Sequence, residues 1–182
     1  TFASVLMPGV QHMRHTHLDE HKFVSGQPET GADRADDLER IAMNFGPENI
    51  AACIVEPIAG STGTLVPPKG YLQKLRNICD KHGILLIFDE VITGWGRTGS
   101  SFASIEYGVT PDIMTMAKAT TNGVVPMGVV ACKDEIYDSV MDASPMGSVE
   151  LFHGYTYSGI PVAVAAALAV QDIFEKEDIF NR

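Results

Sequence analysis

The sequence predicts an α/β fold with a mostly parallel or mixed sheet flanked by helices. Two short apolar runs, residues 50–55 and 84–88, have the length and near-continuous hydrophobicity of buried parallel strands. Between them, residues 70–82 place apolar side chains at helical spacing, and Gly83 follows as a C-cap. Together these segments predict a β-α-β unit, which is the building block of α/β proteins.

The other elements are predicted from the same periodicities along the chain. Helices are expected at 34–44, 134–141 and 161–175, and strands at 113–116 and 128–132. The first fifty residues are less regular and are interrupted by turn residues at 7–9 and 25–29. No repeat, low-complexity linker or domain boundary is evident, so we expect one layered unit.

Composition excludes several classes of protein. The chain has 182 residues, of which 45% are hydrophobic and 20% charged, which is enough apolar content for a buried core. Its net charge of −10 and the absence of a basic block disfavour binding to nucleic acid or to anionic membranes. The longest apolar run, at 162–170, is too short for a membrane span, and no signal-peptide pattern opens the chain.

The three cysteines, Cys53, Cys79 and Cys132, are far apart and form no CxxC pair. An odd number of separated cysteines in apolar or helical surroundings favours reduced, buried thiols. We therefore expect a cytoplasmic protein.

Acidic residues follow both predicted parallel strands of the β-α-β unit. Glu56 comes directly after the first strand and Asp89 directly after the second. Ligands of open α/β sheets bind outside the carboxyl ends of the strands, so both acids are candidate site residues. Asp89 could alternatively cap a helix or a turn, since aspartate is common in such loops.

A single lysine, Lys118, follows the apolar run at 113–116 and precedes a polar turn at 120–123. A lysine kept neutral by apolar surroundings is the kind that forms Schiff bases with carbonyl compounds. A lysine that extends its ammonium group to water, or that forms a salt bridge, is the alternative.

Two other patterns suggest ligands less strongly. Four histidines near the N-terminus, His12, His15, His17 and His21, lack the fixed helical spacing of a metal motif, and we expect no metal site. The glycines of 94–99 match no phosphate-loop motif and predict a tight loop. The hydroxyl-rich turn at 154–159, just before the last helix, could receive an anion such as phosphate.

Taken in order, these residues resemble the class III (omega) aminotransferases, which are pyridoxal-phosphate enzymes of fold type I. The run ILLIFDEVITG at 84–94 and the GRTG that follows at 96–99 are similar to the family signature, and Lys118 and Asn122-Gly123 follow at a suitable distance. Four segments are similar to the omega-amino acid:pyruvate, or beta-alanine:pyruvate, subgroup: HTHL at 15–18, GQPE at 26–29, ADDLE at 35–39 and PMG at 126–128.

The resemblance implies roles for five residues. Lys118 would be the lysine that links covalently to pyridoxal 5'-phosphate, and Asp89 would face the pyridine nitrogen. Val91 would pack on one face of the ring, and Glu56 would lie beside the site. Thr156 would reach the cofactor phosphate of the opposite subunit in a homodimer or a larger homo-oligomer.

The resemblance also implies a fold and an activity. Residues 1–182 would form the central part of the large, cofactor-binding domain, without the family's N-terminal segment and C-terminal small domain. The reaction would move an amino group from an omega-amino acid or amine to pyruvate in two half-reactions. Two alternatives remain open: an aminomutase of the glutamate-1-semialdehyde type, and a truncated, non-catalytic scaffold.

Overall fold

The computed structural model describes residues 5–146, 151 and 153–182, and a four-stranded sheet forms their centre. In spatial order the strands are β1 (Ala52–Val55), β2 (Leu85–Asp89), β3 (Ile113–Met116) and β4 (Val129–Cys132). The first three strands are parallel, and β4 runs antiparallel to β3. The predicted mixed α/β sheet is therefore confirmed.

Helices occupy the segments before, between and after the strands. They are α1 (Asp36–Phe45), α2 (Tyr71–His82), α3 (Ala103–Glu106), α4 (Asp134–Asp142) and α5 (Pro161–Lys176). The expected helices lie within two residues of these bounds, whereas the single-turn α3 is too short to show a periodicity. Gly83 ends α2 in the left-handed conformation, with a φ of +67°, as a C-cap glycine does.

The core lies between α2 and one face of the sheet. Leu75 and Cys79 of α2 pack with Leu86 and Phe88 of β2, and all four side chains are fully buried. Burial of a leucine or phenylalanine side chain contributes roughly 1.5–3 kcal/mol to the stability of a fold. The apolar periodicity of residues 70–82 and of 84–88 therefore corresponds to one shared interface.

The other face of the sheet is more open than the sequence predicts. Ile54 of β1 is 61% exposed and Val130 of β4 is 69% exposed, so the expectation that β1 is fully buried was wrong. In a strand, alternate side chains point to opposite faces, and α2 covers only the face that carries Cys53. Cys53 and Cys79 are buried as expected, but Cys132 is exposed, so the expectation of a buried thiol was wrong there.

A buried carboxylate attaches the irregular N-terminal segment to α1. Asp37 is only 2% exposed at its side chain, and it accepts hydrogen bonds from the backbone N–H and the guanidinium of Arg14 at 2.7–3.1 Å. Arg40 adds a further ion pair at 3.1 Å. The side-chain hydrogen bonds from Arg14 outweigh the effect of burial and lower the pKa of Asp37 to about 2.

This depressed pKa predicts a specific acid sensitivity. Asp37 stabilises the fold above its ordinary pKa of 3.8, and that contribution is lost as the pH falls through its folded pKa of about 2. We expect Asp37→Asn to lower the free energy of unfolding at pH 7 by on the order of 1 kcal/mol, after allowance for the solvent screening of Arg14. The difference from the wild-type chain should shrink between pH 4 and pH 2 in urea unfolding curves.

The matched control is Asp19→Asn, because the Asp19 side chain is 95% exposed and, among the described residues, forms an ion pair with Lys22 alone, at 2.9 Å. It should leave the free energy of unfolding close to the wild-type value at every pH. An Asp37→Asn difference that stays constant down to pH 2 would contradict the assigned linkage.

Candidate active site

Three of the residues singled out in the sequence lie at the carboxyl edge of the parallel strands. Asp89 is the last residue of β2, and Lys118 lies two residues after the end of β3. Asp89 pairs in register with Thr115, and the N–H of Glu90 donates to the Thr115 carbonyl at 2.9 Å. Since Glu56 follows β1 in the same way, the three residues share one edge of the sheet.

Asp89 is half-buried and makes a single hydrogen bond within its own turn. Its Oδ1 accepts the backbone N–H of Val91 at 3.1 Å, so the turn-capping alternative is also met. In the described part of the chain no cation pairs with this carboxylate. Its Oδ2 is therefore able to accept a hydrogen bond from a bound ligand. Val91, also half-buried, lies directly beside it.

Lys118 is exposed, as the alternative of a lysine that extends its ammonium group to water predicts, and the apolar surroundings of the other interpretation are not observed. No carboxylate among the described residues forms an ion pair with its ammonium group, so the salt-bridge alternative is not supported. The backbone of Lys118 has a φ of +44°, in the left-handed region, which costs a non-glycine residue roughly 1–3 kcal/mol. The lysine thus projects from a strained turn, Lys118–Thr120.

Glu90, which the sequence analysis did not single out, organises the loop beyond β2. Its carboxylate is fully buried and accepts the Thr93 hydroxyl at 2.9 Å and the backbone N–H groups of Ala103 and Ser104 at 2.7 and 2.8 Å. A buried charge requires such partners, and here they tie the loop to the start of α3. The sequence signal that could have identified Glu90 is its position directly after Asp89, at the end of an apolar run.

A cavity of about 400 Å³ lies between the loop after β1 and the loop after β2. Its lining includes Ser61, Ile92, Thr93 and Arg97. Gly60 keeps the two loops close, because a Cβ at this position would come within 2.5 Å of the Ile92 Cδ1. Both loops follow the carboxyl ends of parallel strands, so the cavity lies on the same edge of the sheet as Asp89.

Glu56 closes the turn that leads to this cavity. It is half-buried, and its Oε2 accepts the Gly60 N–H at 2.9 Å. Thr156, by contrast, lies in an exposed turn in which the Ser158 N–H donates to the Tyr155 carbonyl. Within the described residues no hydrogen bond connects Thr156 to Asp89 or Lys118, so its role stays a prediction.

The N-terminal histidines do not converge on one point. His21 is buried, and its ring nitrogens lie 3.2 Å from the Thr16 carbonyl and from the Thr30 hydroxyl, whereas His12 and His15 are exposed. Over the described residues, no group of three or more His, Cys, Asp or Glu side chains could hold a metal ion.

The donor set fits pyridoxal 5'-phosphate. A carboxylate with a free oxygen can pair with a protonated pyridine nitrogen, and a primary amine without an ion-pair partner can form an imine with the aldehyde. Asp89 and Lys118 supply these two groups from neighbouring strand ends.

Comparison with known proteins gives consistent matches. The model of the family described as aminotransferase class-III matches residues 3–182. An omega-aminotransferase of Caulobacter vibrioides is 57% identical over 178 residues, which cover 97% of this chain and 40% of the relative. A beta-alanine--pyruvate aminotransferase of Pseudomonas aeruginosa is 51% identical over 175 residues, covering 95% of this chain and 39% of the relative.

Solved structures agree with the sequence matches. An (S)-enantioselective omega-transaminase from Thermomicrobium roseum superposes with a TM-score of 0.76 at 47% identity, over 82% of this chain and 32% of its own. A PLP-bound amine transaminase from an uncultivated Pseudomonas species gives 0.75 at 46% identity, over 81% and 33%. This chain spans about two fifths of the length of the curated relatives.

The buried position of Glu90 predicts a large effect of a small substitution. Glu90→Gln replaces one acceptor oxygen with an NH2 group that would face backbone N–H donors. We expect the free energy of unfolding to fall by about 1–3 kcal/mol, because a buried hydrogen-bond network would be left partly unsatisfied. Urea unfolding measures the loss.

Glu106→Gln is the control for that prediction. Glu106 is exposed, and its carboxylate accepts only the Ser100 hydroxyl at 2.7 Å, so its replacement should be close to neutral. Equal losses in the two variants would show that the Glu90 network does not stabilise the loop.

Proposed function

The chain belongs to the class III aminotransferase family, and from this membership we propose that the protein moves an amino group from an omega-amino acid or amine, such as beta-alanine, to pyruvate. The observation that carries the proposal is the position of Asp89 and Lys118 at the ends of adjacent parallel strands. Neither side chain forms an ion pair among the described residues. The name of the relative from Pseudomonas aeruginosa supports the choice of beta-alanine and pyruvate.

Each candidate residue has a task in this proposal. When bound, pyridoxal 5'-phosphate supplies an electron sink for the bonds to the substrate carbon that carries nitrogen. Asp89 holds the proton on the pyridine nitrogen, since a carboxylate favours the charged form of its partner. Val91 supports one face of the ring, and Glu56 shapes the neighbouring turn.

Lys118 has two tasks in succession. Its Nζ would hold the cofactor covalently, and as a free amine it would carry a proton to and from the substrate carbon. The exposed position of Lys118 at the carboxyl edge of the sheet is compatible with both tasks.

The proposal extends to parts of the protein outside this site. Residues 1–182 would form the central part of the cofactor-binding large domain, and the family's N-terminal segment and small domain would complete it. We propose a homodimer or larger homo-oligomer, in which Thr156 reaches the phosphate of the opposite subunit.

The described residues contain no helix long and apolar enough to cross a membrane. Three cysteines without disulfides agree with a cytoplasmic location.

An aminomutase of the glutamate-1-semialdehyde type is the second candidate, because it would use the same aspartate and lysine. The relatives named as pyruvate aminotransferases favour the transfer reaction. Pyruvate consumption separates the two: a transferase makes alanine, and an aminomutase does not need pyruvate.

The first test locates the covalent link. Pyridoxal 5'-phosphate is added to the purified protein, the visible spectrum is recorded, the adduct is reduced with borohydride, and the labelled peptide is identified by mass spectrometry. We expect the label on Lys118 and its loss in Lys118→Ala. The control Lys176→Ala, which removes an ammonium group that is 74% exposed, should keep the label. Label scattered over surface lysines would favour the non-catalytic scaffold.

The second test separates binding from turnover. Asp89→Asn keeps the shape of the side chain but removes the charge that holds the pyridine proton, so we expect kcat to fall by about a hundredfold or more while Lys118 is still labelled. Asp80→Asn is the matched control, because Asp80 is exposed on α2 and pairs with Arg76 at 2.8 Å. Wild-type kcat in Asp89→Asn would remove Asp89 from the proposed mechanism.

A further inference from the structure

Two hydrogen bonds connect the only tryptophan of the chain to the peptide that precedes Lys118. The Trp95 indole N–H donates to the Thr120 Oγ1 at 2.9 Å. The Thr120 hydroxyl donates in turn to the Ala117 carbonyl at 3.0 Å. We infer that Trp95 is a positioning residue for Lys118 and acts through Thr120, an inference that rests on the proposed function of Lys118.

The turn that carries Lys118 needs support from outside. Lys118 has a φ of +44°, which is strained for a lysine, whereas the +51° of Asn122 is a conformation that asparagine tolerates. Within the turn, the Thr120 N–H donates to the Ala117 carbonyl at 3.0 Å, while the N–H groups of Thr121 and Gly123 lie 3.4 and 3.2 Å from the Lys118 carbonyl. Strained conformations persist where neighbouring groups hold them in place.

The hydrogen bonds from Trp95 and through Thr120 are made where water is excluded. Thr120 is only 2% exposed, and Trp95 is half-buried. A hydroxyl left without a partner in such a position is costly, so both bonds favour one orientation of the Ala117 carbonyl. The Ala117 carbonyl and the Lys118 N–H belong to the same peptide unit. The orientation of this peptide restricts the direction in which the Lys118 side chain leaves the backbone.

Trp95 is itself held firmly enough to act as an anchor. Its backbone N–H donates to the Ser101 carbonyl at 2.7 Å, and its ring centre lies 5.0 Å from that of Phe102 and 6.0 Å from that of Phe174 on α5. The buried Glu90 carboxylate holds the same loop from its other side. The indole N–H therefore points at Thr120 from a rigid frame.

The test compares three variants that differ in this chain of hydrogen bonds. Trp95→Phe keeps an aromatic ring but removes the donor; Thr120→Val keeps the shape but removes the hydroxyl; Thr120→Ser keeps the hydroxyl. Two quantities are measured: hydrogen exchange of the amides at 117–123 in cofactor-free protein, and the rate at which pyridoxal 5'-phosphate becomes fixed to Lys118.

We expect Trp95→Phe and Thr120→Val to exchange the Thr120 amide, which donates to the Ala117 carbonyl at 3.0 Å, about tenfold faster, a factor of the size that one net hydrogen bond supplies. Both variants should also slow the fixation of pyridoxal 5'-phosphate at Lys118. The double variant should match Thr120→Val, because both substitutions interrupt the same series of hydrogen bonds. Thr120→Ser should behave like the wild type. If Thr120→Val does not fold, Trp95→Phe and Thr120→Ser decide the question.

Thr121→Val is the matched control. Thr121 is as buried as Thr120, but its hydroxyl donates to the Val125 carbonyl, away from Ala117. It should leave exchange at 117–120 and fixation at Lys118 unchanged. Equal effects of Thr120→Val and Thr121→Val, or wild-type behaviour of Trp95→Phe, would overturn the inference. If the wild-type chain labels no specific lysine, the proposed function fails while the exchange data still test the link to Trp95.

Discussion

The parallel pairing of β2 with β3 is the constraint on which the candidate site depends. It places Asp89 opposite Thr115 and so brings Lys118 to the same edge of the sheet, although the two side chains are 29 positions apart in the chain. Asp112 fixes this pairing at the other end of the strands, since its carboxylate accepts the Leu86 N–H at 2.7 Å and pairs with Arg76 and Lys133 at 2.8 and 2.7 Å. Burial alone would raise the pKa of Asp112, but the hydrogen bonds from Lys133, Leu86 and Arg76 lower it.

Buried and half-buried carboxylates have different tasks in this fold. Asp37, Glu90 and Asp112 are almost fully buried, and each accepts several hydrogen bonds that attach one segment of chain to another. A buried charge is stable only with such partners, so these acids are fully engaged in holding the structure. Asp89 accepts one hydrogen bond and keeps an oxygen available, which is what a group that binds a cofactor requires.

The loop after β2 and the turn after β3 stabilise each other. Both contain a non-glycine residue in the left-handed conformation, Trp95 at +64° and Lys118 at +44°. The indole N–H and the Thr120 hydroxyl join the two segments, and the packing of Trp95 against Phe174 extends the connection to α5. Strain at Lys118 is thereby supported by packing that lies outside the turn itself.

The sequence by itself determined the alternation of strands and helices, the end of α2 at Gly83, and the positions of Asp89 and Lys118 just after apolar strands. These features depend on local periodicity and on backbone preferences of single residues, which are legible along the chain. The roles of the five site residues came from resemblance to a family. Only the tertiary structure decided that β4 is antiparallel, that Ile54 faces outwards and that Lys118 is exposed. It also decided the partners of Glu90 and the bond from Trp95 to Thr120, because contacts between distant segments depend on how the whole sheet packs.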